Sequence, residues 1–357
     1  MTPLIQGPHR TIGIAEWAGA TSAWIGIVVR KTIIALLGLL LLFGSPALSA
    51  AAQDATPEPP NSLKASQPEA EPVTFYSENG NELATATLIG MERNWLEFDP
   101  GSEPQPGMEY VALTIAVENI AARGSVNVST YQFTIQTQMG FVYTNAWIYG
   151  ETVDPPLLSE DIALEGGETA EFTLVFAVYT DEPLAHLLWE PESPTHVQLV
   201  MAALEPQVEG MNPLDPDQGD AVTFYSVSGD DMAVLQVTGA ERGWTGFDEG
   251  YGPEAGMEFI AVTVEVENVA GRGNVNISPY EFGLQTDLGF TYMPAWVSAE
   301  SADPAVLVED IQLAQGQSTS FTLVFAVFEG EGLGDVDWIP YASAQPVRLT
   351  LVNLTSV

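Results

Sequence analysis

Apolar residues fall on every second position from residue 110 to residue 118. Val111, Leu113, Ile115 and Val117 share one face, and Tyr110, Ala112, Thr114, Ala116 and Glu118 share the other. A period of two is that of a β-strand with two unlike faces. The same alternation runs through Phe172, Leu174, Phe176 and Val178, and through Val197, Leu199 and Met201. Turn signals separate these runs, among them Glu78-Asn79-Gly80, Gly166-Gly167 and Asp154-Pro155-Pro156. With residues 73–77, 83–91, 131–137 and 141–143 as further runs, the pattern predicts about seven strands and no helix.

The whole pattern then returns. "GMEYVALTIAVENIAARGSVNVS", residues 107–129, reappears as "GMEFIAVTVEVENVAGRGNVNIS", residues 256–278, an offset of 149. That offset also carries Trp95 onto Trp244, Tyr143 onto Tyr292, Trp147 onto Trp296 and Trp189 onto Trp338, and "FTLVFAV" onto itself. Two copies, each far longer than a solenoid unit, indicate duplication of a whole domain that folds on its own. The predicted boundaries are 73–205 for the first repeat and 221–357 for the second, with a Pro-, Gly- and acid-rich linker at 206–220. The copies also show which strand face is wet: Glu265 stands where the first copy has Ala116, and a carboxylate is rarely placed in a core unpaired.

About seven short antiparallel strands per repeat predict an all-β protein of two tandem immunoglobulin-like β-sandwiches. The succession "GMEYVALTIAVEN", "YQFTIQTQMGFVY", "LLSEDIALEGGETAEF" and "TLVFAVY" resembles the telokin-like immunoglobulin-fold domain of unknown function found in bacterial lipoproteins and secreted proteins. A mycobacterial immunoprotective secreted antigen shares that superfamily. The resemblance spans roughly residues 103–204 and 253–354. It implies an extracytoplasmic β-sandwich and brings no catalytic residue with it. The chain departs from the lipoprotein members in having no cysteine to lipidate.

The leader, 1–52, reads as an export signal: Arg30 and Lys31, an unbroken apolar run at 33–43, then small residues at 44–52. The run is short for a membrane span, which takes roughly 20 residues, so the signal is expected to be cleaved, and only if retained would it anchor the protein to a membrane. Thirty residues precede the basic pair, which points to a translation start at Val28 or Val29. Residues 53–72, "QDATPEPPNSLKASQPEAEP", have no apolar period and read as a disordered, solvated linker. The expected location is secreted or at a bacterial cell surface.

Charge narrows the partners. After residue 52 there are six basic residues against 47 aspartates and glutamates. Such a field repels phosphate backbones and anionic lipid, which excludes nucleic acid as a partner. The absence of cysteine removes disulfides, thiolate nucleophiles and sulfur-ligated metals.

Catalytic patterns are missing. His186 and His196 have no counterparts in the second repeat, and no H-E-x-x-H, G-x-S-x-G or phosphate-binding loop occurs. The chain therefore reads as non-enzymatic. Three duplicated features remain as candidates. Trp95, Trp147, Trp244 and Trp296 would form a loop platform for a sugar or a protein, with Trp95 the most exposed, since "ERNWLEFDPG" is polar around it. The third tryptophan pair, Trp189 and Trp338, has the alternative role of filling the sandwich, as any of them would if buried. Asp154, Glu160 and Asp161, with Asp303, Glu309 and Asp310, would hold Ca²⁺ if they met at a loop edge, against the simpler reading of solvated acidic loops. Arg93, Arg123, Arg242 and Arg272 would pin loops to nearby carboxylates.

The expected function is binding or display, with an extracellular protein or glycan as partner and no cofactor beyond Ca²⁺. The alternative is a structural or cation-binding acidic envelope protein. An aromatic surface patch favours the first, and clustered carboxylates favour the second.

Overall fold

The computed structural model describes residues 71–150, 152–341 and 343–356. The export signal, the alternative start and nearly all of the 53–72 linker lie outside the described residues. The first repeat supplies β1 (Val73–Tyr76), β2 (Glu82–Arg93), β3 (Met108–Asn119), β4 (Val126–Val128), β5 (Phe133–Thr137) and β6 (Val142–Thr144). It continues with β7 (Ile162–Leu164), β8 (Thr169–Tyr179), β9 (Leu184–Trp189) and β10 (Leu199–Ala203). The second supplies β11 (Ala221–Tyr225), β12 (Asp231–Arg242), β13 (Met257–Asn268), β14 (Val275–Ile277) and β15 (Phe282–Thr286). Its remaining strands are β16 (Thr291–Tyr292), β17 (Ile311–Leu313), β18 (Ser318–Phe328), β19 (Leu333–Trp338) and β20 (Leu349–Asn353).

Each repeat is an immunoglobulin-like sandwich of two antiparallel four-stranded sheets. In the first these are β1-β2-β3-β8 and β10-β9-β5-β6, with β4-β7 as a ribbon. In the second they are β11-β12-β13-β18 and β16-β15-β19-β20, with β14-β17 as the ribbon. The three strands per repeat that the alternation missed have physical reasons. β4 and β7 are three residues long, and β9 is covered on both faces, so "LAHLLW" carries no two-residue period.

The core follows the predicted face. Val111, Leu113, Ile115 and Val117 are fully buried against Phe172, Leu174, Phe176 and Val178 of the neighbouring strand and against Phe133 and Ile135 of the opposite sheet. Burying a side chain of this size contributes about 1.5–3 kcal/mol. Trp189 stacks on Phe133 with ring centroids 6.1 Å apart, and Trp338 on Phe282 at 6.2 Å. Glu265 is exposed, as the wet-face argument requires. The last residue of the repeated "VEN" is structural: buried Asn119 donates to the Leu164 carbonyl at 2.7 Å and accepts from the Ala121 amide at 2.9 Å, joining β3 to β7. Asn268 does the same with Leu313 and Ala270.

The repeats are not separate bodies on a string. Contacts place both in one compact unit, and a single apolar cluster runs from Phe75 to Leu354. The predicted linker at 206–220 is itself tied down: the Val208 amide donates to Gln138 Oε1 at 2.9 Å, and the Asn353 amide donates to the Pro216 carbonyl at 2.9 Å.

Two reciprocal strand contacts join the repeats. The Val142 amide donates to the Pro346 carbonyl and the Arg348 amide to the Gly140 carbonyl, each at 2.9 Å, around a Phe141–Val347 bridge. In mirror fashion the Thr291 amide donates to the His196 carbonyl at 3.0 Å and the Gln198 amide to the Gly289 carbonyl at 2.9 Å, around Val197–Phe290. The edge strand β6 thus meets the start of β20, and β16 meets the start of β10, so the two sheets close into one circuit of eight strands. Gly140 and Gly289 have φ of +88° and +84°, and a Cβ on either would strike the Leu349 or Leu199 side chain and the adjoining carbonyl. Only glycine fits both the backbone and the space.

Polar side chains fill this seam, and they differ between the copies. His186 and Leu188 of β9 are replaced by Asp335 and Asp337 of β19, and Gln198 by Arg348. Arg348, almost fully buried, pairs with Asp337 at 2.6 Å, while its Nε and Nη1 have no protein partner. Gln136 Nε2 donates to the Arg348 carbonyl at 2.7 Å, and His186 Nδ1 lies 3.3 Å from Gln136 Oε1. Burial, reinforced by Arg348, lowers the His186 pKa to about 4. Burial, reinforced by Asp337, raises that of Asp335 to about 7.

Candidate binding site

Outside the sandwich core, a second apolar cluster covers one end of the β3 outer face. Trp95, Tyr110, Ala112 and Val175 are buried there, with Phe98, Ala146 and Ile148 packed against them. Tyr110 meets the rings of Trp95 and Phe98 edge to face at 6.5 and 5.4 Å, and those two rings lie tilted to each other at 6.1 Å. Trp95 is only 3% exposed, which corrects the expectation that it is the most exposed tryptophan. Its polar neighbours do face solvent, but the loop folds back onto β3 and buries the indole. Trp244 is half-buried in the equivalent place with Phe247 and Phe259. It lines a shallow groove of about 280 Å³ that also includes Glu241, Thr263 and Asp303.

The covered cluster supports a loop that projects a different tryptophan. The Ala146 amide donates to the Val175 carbonyl at 2.7 Å, and the Asp99 amide donates to the Tyr149 carbonyl at 2.8 Å. Between these two ties the side chains alternate: Ala146 and Ile148 turn inward, and Trp147 stands outward, 68% exposed. The second copy repeats the construction, with the Ala295 amide on Val324 at 2.7 Å and the Asp248 amide on Ser298 at 2.8 Å. Val297 is buried and Trp296 is 70% exposed.

Each projecting indole has an aromatic neighbour. Tyr131 lies 6.1 Å from Trp147 at 57°, and Tyr251 lies 5.6 Å from Trp296 at 61°. Tyr251 is not the counterpart of Tyr131, which is Tyr280; the two copies build a similar pair from different loops. Sequence reasoning missed Tyr131 and Tyr251. The signal it had for Trp147 and Trp296 was their duplication at the 149-residue offset.

The arginines divide. Arg93 on β2 reaches Glu109 on β3 through Nε and Nη2, and Glu205 through Nη1 at 2.7 Å. The Asp181 amide also donates to Glu109, so the β8–β9 turn joins the same cluster. Arg242 makes the equivalent fork to Glu258 at 2.9 and 2.7 Å and donates to the Glu331 carbonyl. That guanidinium holds the Glu258 carboxyl below its usual range. Arg123 and Arg272 correct the expectation: both are exposed and form no ion pair among the described residues. Each sits in an exposed turn that ends in a positive-φ glycine, Gly124 or Gly273.

Asp154, Glu160 and Asp161, with Asp303, Glu309 and Asp310, are exposed. Among the described residues no three acidic or histidine side chains gather as a metal ion requires. The expected cation loop is therefore not assembled. The chain around Leu157 and Val306 pairs with β8 and β18, and the carboxylates on either side are spread along that stretch.

No protein-family model matches the sequence, and no curated protein matches it. Two solved structures show partial likeness. A candidate lipoprotein (ycdA) from Bacillus subtilis matches at 13% identity over 40% of this chain with a TM-score of 0.29; the match spans 39% of that protein's length. The secreted protein MPT63 from Mycobacterium tuberculosis matches at 15% identity over 40% of this chain and 97% of its own, with a TM-score of 0.30. Among the described residues no helix is long and apolar enough to cross a membrane.

Proposed function

We propose that the protein is a non-enzymatic extracytoplasmic binding module that grips its partner through Trp147 and Trp296. One observation carries the reading: in both copies a tryptophan is held out into solvent on a backbone tied on either side, above a packed aromatic support. Large exposed aromatics on a rigid base lose little freedom on binding and dominate interface energetics. Duplication supplies two such points on one chain, which favours avidity for a repeating or extended partner. The alternative of an acidic structural or cation-binding protein has less support, because exposed aromatics are present and, among the described residues, no three acidic or histidine side chains gather as a metal ion requires.

The test is a thermal-shift panel of cell-wall glycans and polypeptides run on the protein and on its Trp147→Ala/Trp296→Ala variant. A partner present at a hundred times its Kd adds about 2.7 kcal/mol to the stability of the protein it binds. That stabilisation is expected for the unaltered protein and not for the variant. Partners that stabilise both equally would overturn the assignment of these loops.

A further inference from the structure

We infer that the Trp147 and Trp296 pairs receive lysine or arginine side chains of a cationic polypeptide. The inference rests on the binding reading above and specifies the chemistry of the partner.

Charge is the first argument. Six basic residues face 47 acidic ones beyond residue 52, and Arg93, Arg242 and Arg348 are already engaged in ion pairs. An external cation is therefore drawn to almost any part of this surface, and an anion repelled. Around the indoles the bias is local. On the Trp147 side, exposed Glu97 and half-buried Asp99 belong to the segment whose backbone is tied to Tyr149, two residues past the indole. Beside Trp296, the Asp248 carboxylate accepts from the Ser298 hydroxyl at 2.6 Å and from the Glu300 amide at 3.2 Å.

Geometry is the second. Each pair presents two π faces inclined at 57° or 61° with centroids 5.6–6.1 Å apart. A cation is attracted within about 6 Å of a ring centroid, so one group set over the open side of a pair lies within range of both rings. A guanidinium can stack on the indole and still donate to a flanking carboxylate. A neutral sugar would also stack on an aromatic face and donate hydroxyls to a carboxylate, but it carries no charge for the acidic field to attract.

The experiment is a fluorescence titration of the protein with an oligo-arginine peptide, an oligo-glutamate peptide and a soluble cell-wall oligosaccharide, at low and at physiological salt. The Trp147→Ala/Trp296→Ala and Trp147→Phe/Trp296→Phe variants are titrated in parallel, with circular dichroism to show that they fold. Expected are indole quenching by oligo-arginine alone, binding about tenfold weaker in the alanine variant, and recovery of most of it in the phenylalanine variant. Equal oligo-arginine binding by all three proteins would mean bulk charge attraction and would overturn the inference. Tryptophan-dependent binding of the oligosaccharide without oligo-arginine would overturn it and leave the binding reading standing. Indole fluorescence unmoved by all three probes would overturn both.

Discussion

Replacing Asp335 by asparagine is expected to stabilise the protein, and to do so increasingly as pH rises. Asp335 lies in the inter-repeat seam with Asp337, Arg348 and Asp215 around it, and burial leads the rise of its pKa from 3.8 to about 7. A carboxyl whose folded pKa is raised contributes its stability below the unfolded value and loses it as pH climbs through the folded one. The full interval corresponds to about 4 kcal/mol. Because Asp335 keeps some solvent exposure, the realised gain at pH 8 is expected to be smaller, at about 1–3 kcal/mol. Asparagine keeps the acceptor for Asn353 Nδ2, now 3.0 Å away, so the change removes the charge with little loss of hydrogen bonding. His186 works in the opposite direction: its pKa, lowered to about 4, means stability is lost as pH falls below 6.5. In the unaltered protein the two slopes oppose each other between about pH 4 and 6.5. In Asp335→Asn the histidine slope is no longer opposed by Asp335, so across that window the variant should gain stability with pH relative to the unaltered protein. Urea denaturation of both proteins from pH 5 to pH 8 measures this. A difference between them that is independent of pH, or a variant less stable at pH 8, would refute the reasoning.

Gly140→Ala is expected to destabilise by about 2–4 kcal/mol, because it adds a clash with Leu349 to the strain of a positive φ. Gly124→Ala, at φ +91° with open space around it, should show only the strain, about 1–2 kcal/mol. Equal losses in urea titrations would show that the seam contact is slack. Arg93→Ala should cost about 2 kcal/mol by leaving buried Glu109 without its cation, whereas Arg123→Ala should stay within about 0.5 kcal/mol. Melting curves of the two variants decide it.

The strands that alternate were legible because one face of each meets the core; β3 and β8 keep that alternation in sequence although the Trp95 cluster covers one end of their outer face. The duplication was legible too, since residues such as Asn119 and Asn268 hold identical positions in both copies. Trp95 was misread because the period of a loop says nothing about what the loop lies against. Phe98, three residues on, was the available hint that the segment folds inward. The seam left no local trace. Gln136, His186, Gln198 and Arg348 occupy positions in or next to strands that normally face water, and they face another sheet only because residues 140–142 pair with residues 346–348. Arg93 and Arg123 look alike as repeated arginines in polar surroundings. What separates them is that β2 carries Arg93 beside Glu109 on β3, a pairing no short stretch of sequence displays.

The reciprocal closure also sets an order of events. When the first sandwich leaves the ribosome its β6 edge, with Phe141 beside it, has no partner until residues 346–348 are made. At about 5–20 residues per second the intervening 204 residues take about 10–40 s. Through that interval the nascent chain presents an open strand edge next to a buried-type phenylalanine, the combination that invites pairing with a neighbouring chain. Final assembly is therefore gated by the last strand of the second copy. A chain that stops short of it is left with an unpaired edge on its first half.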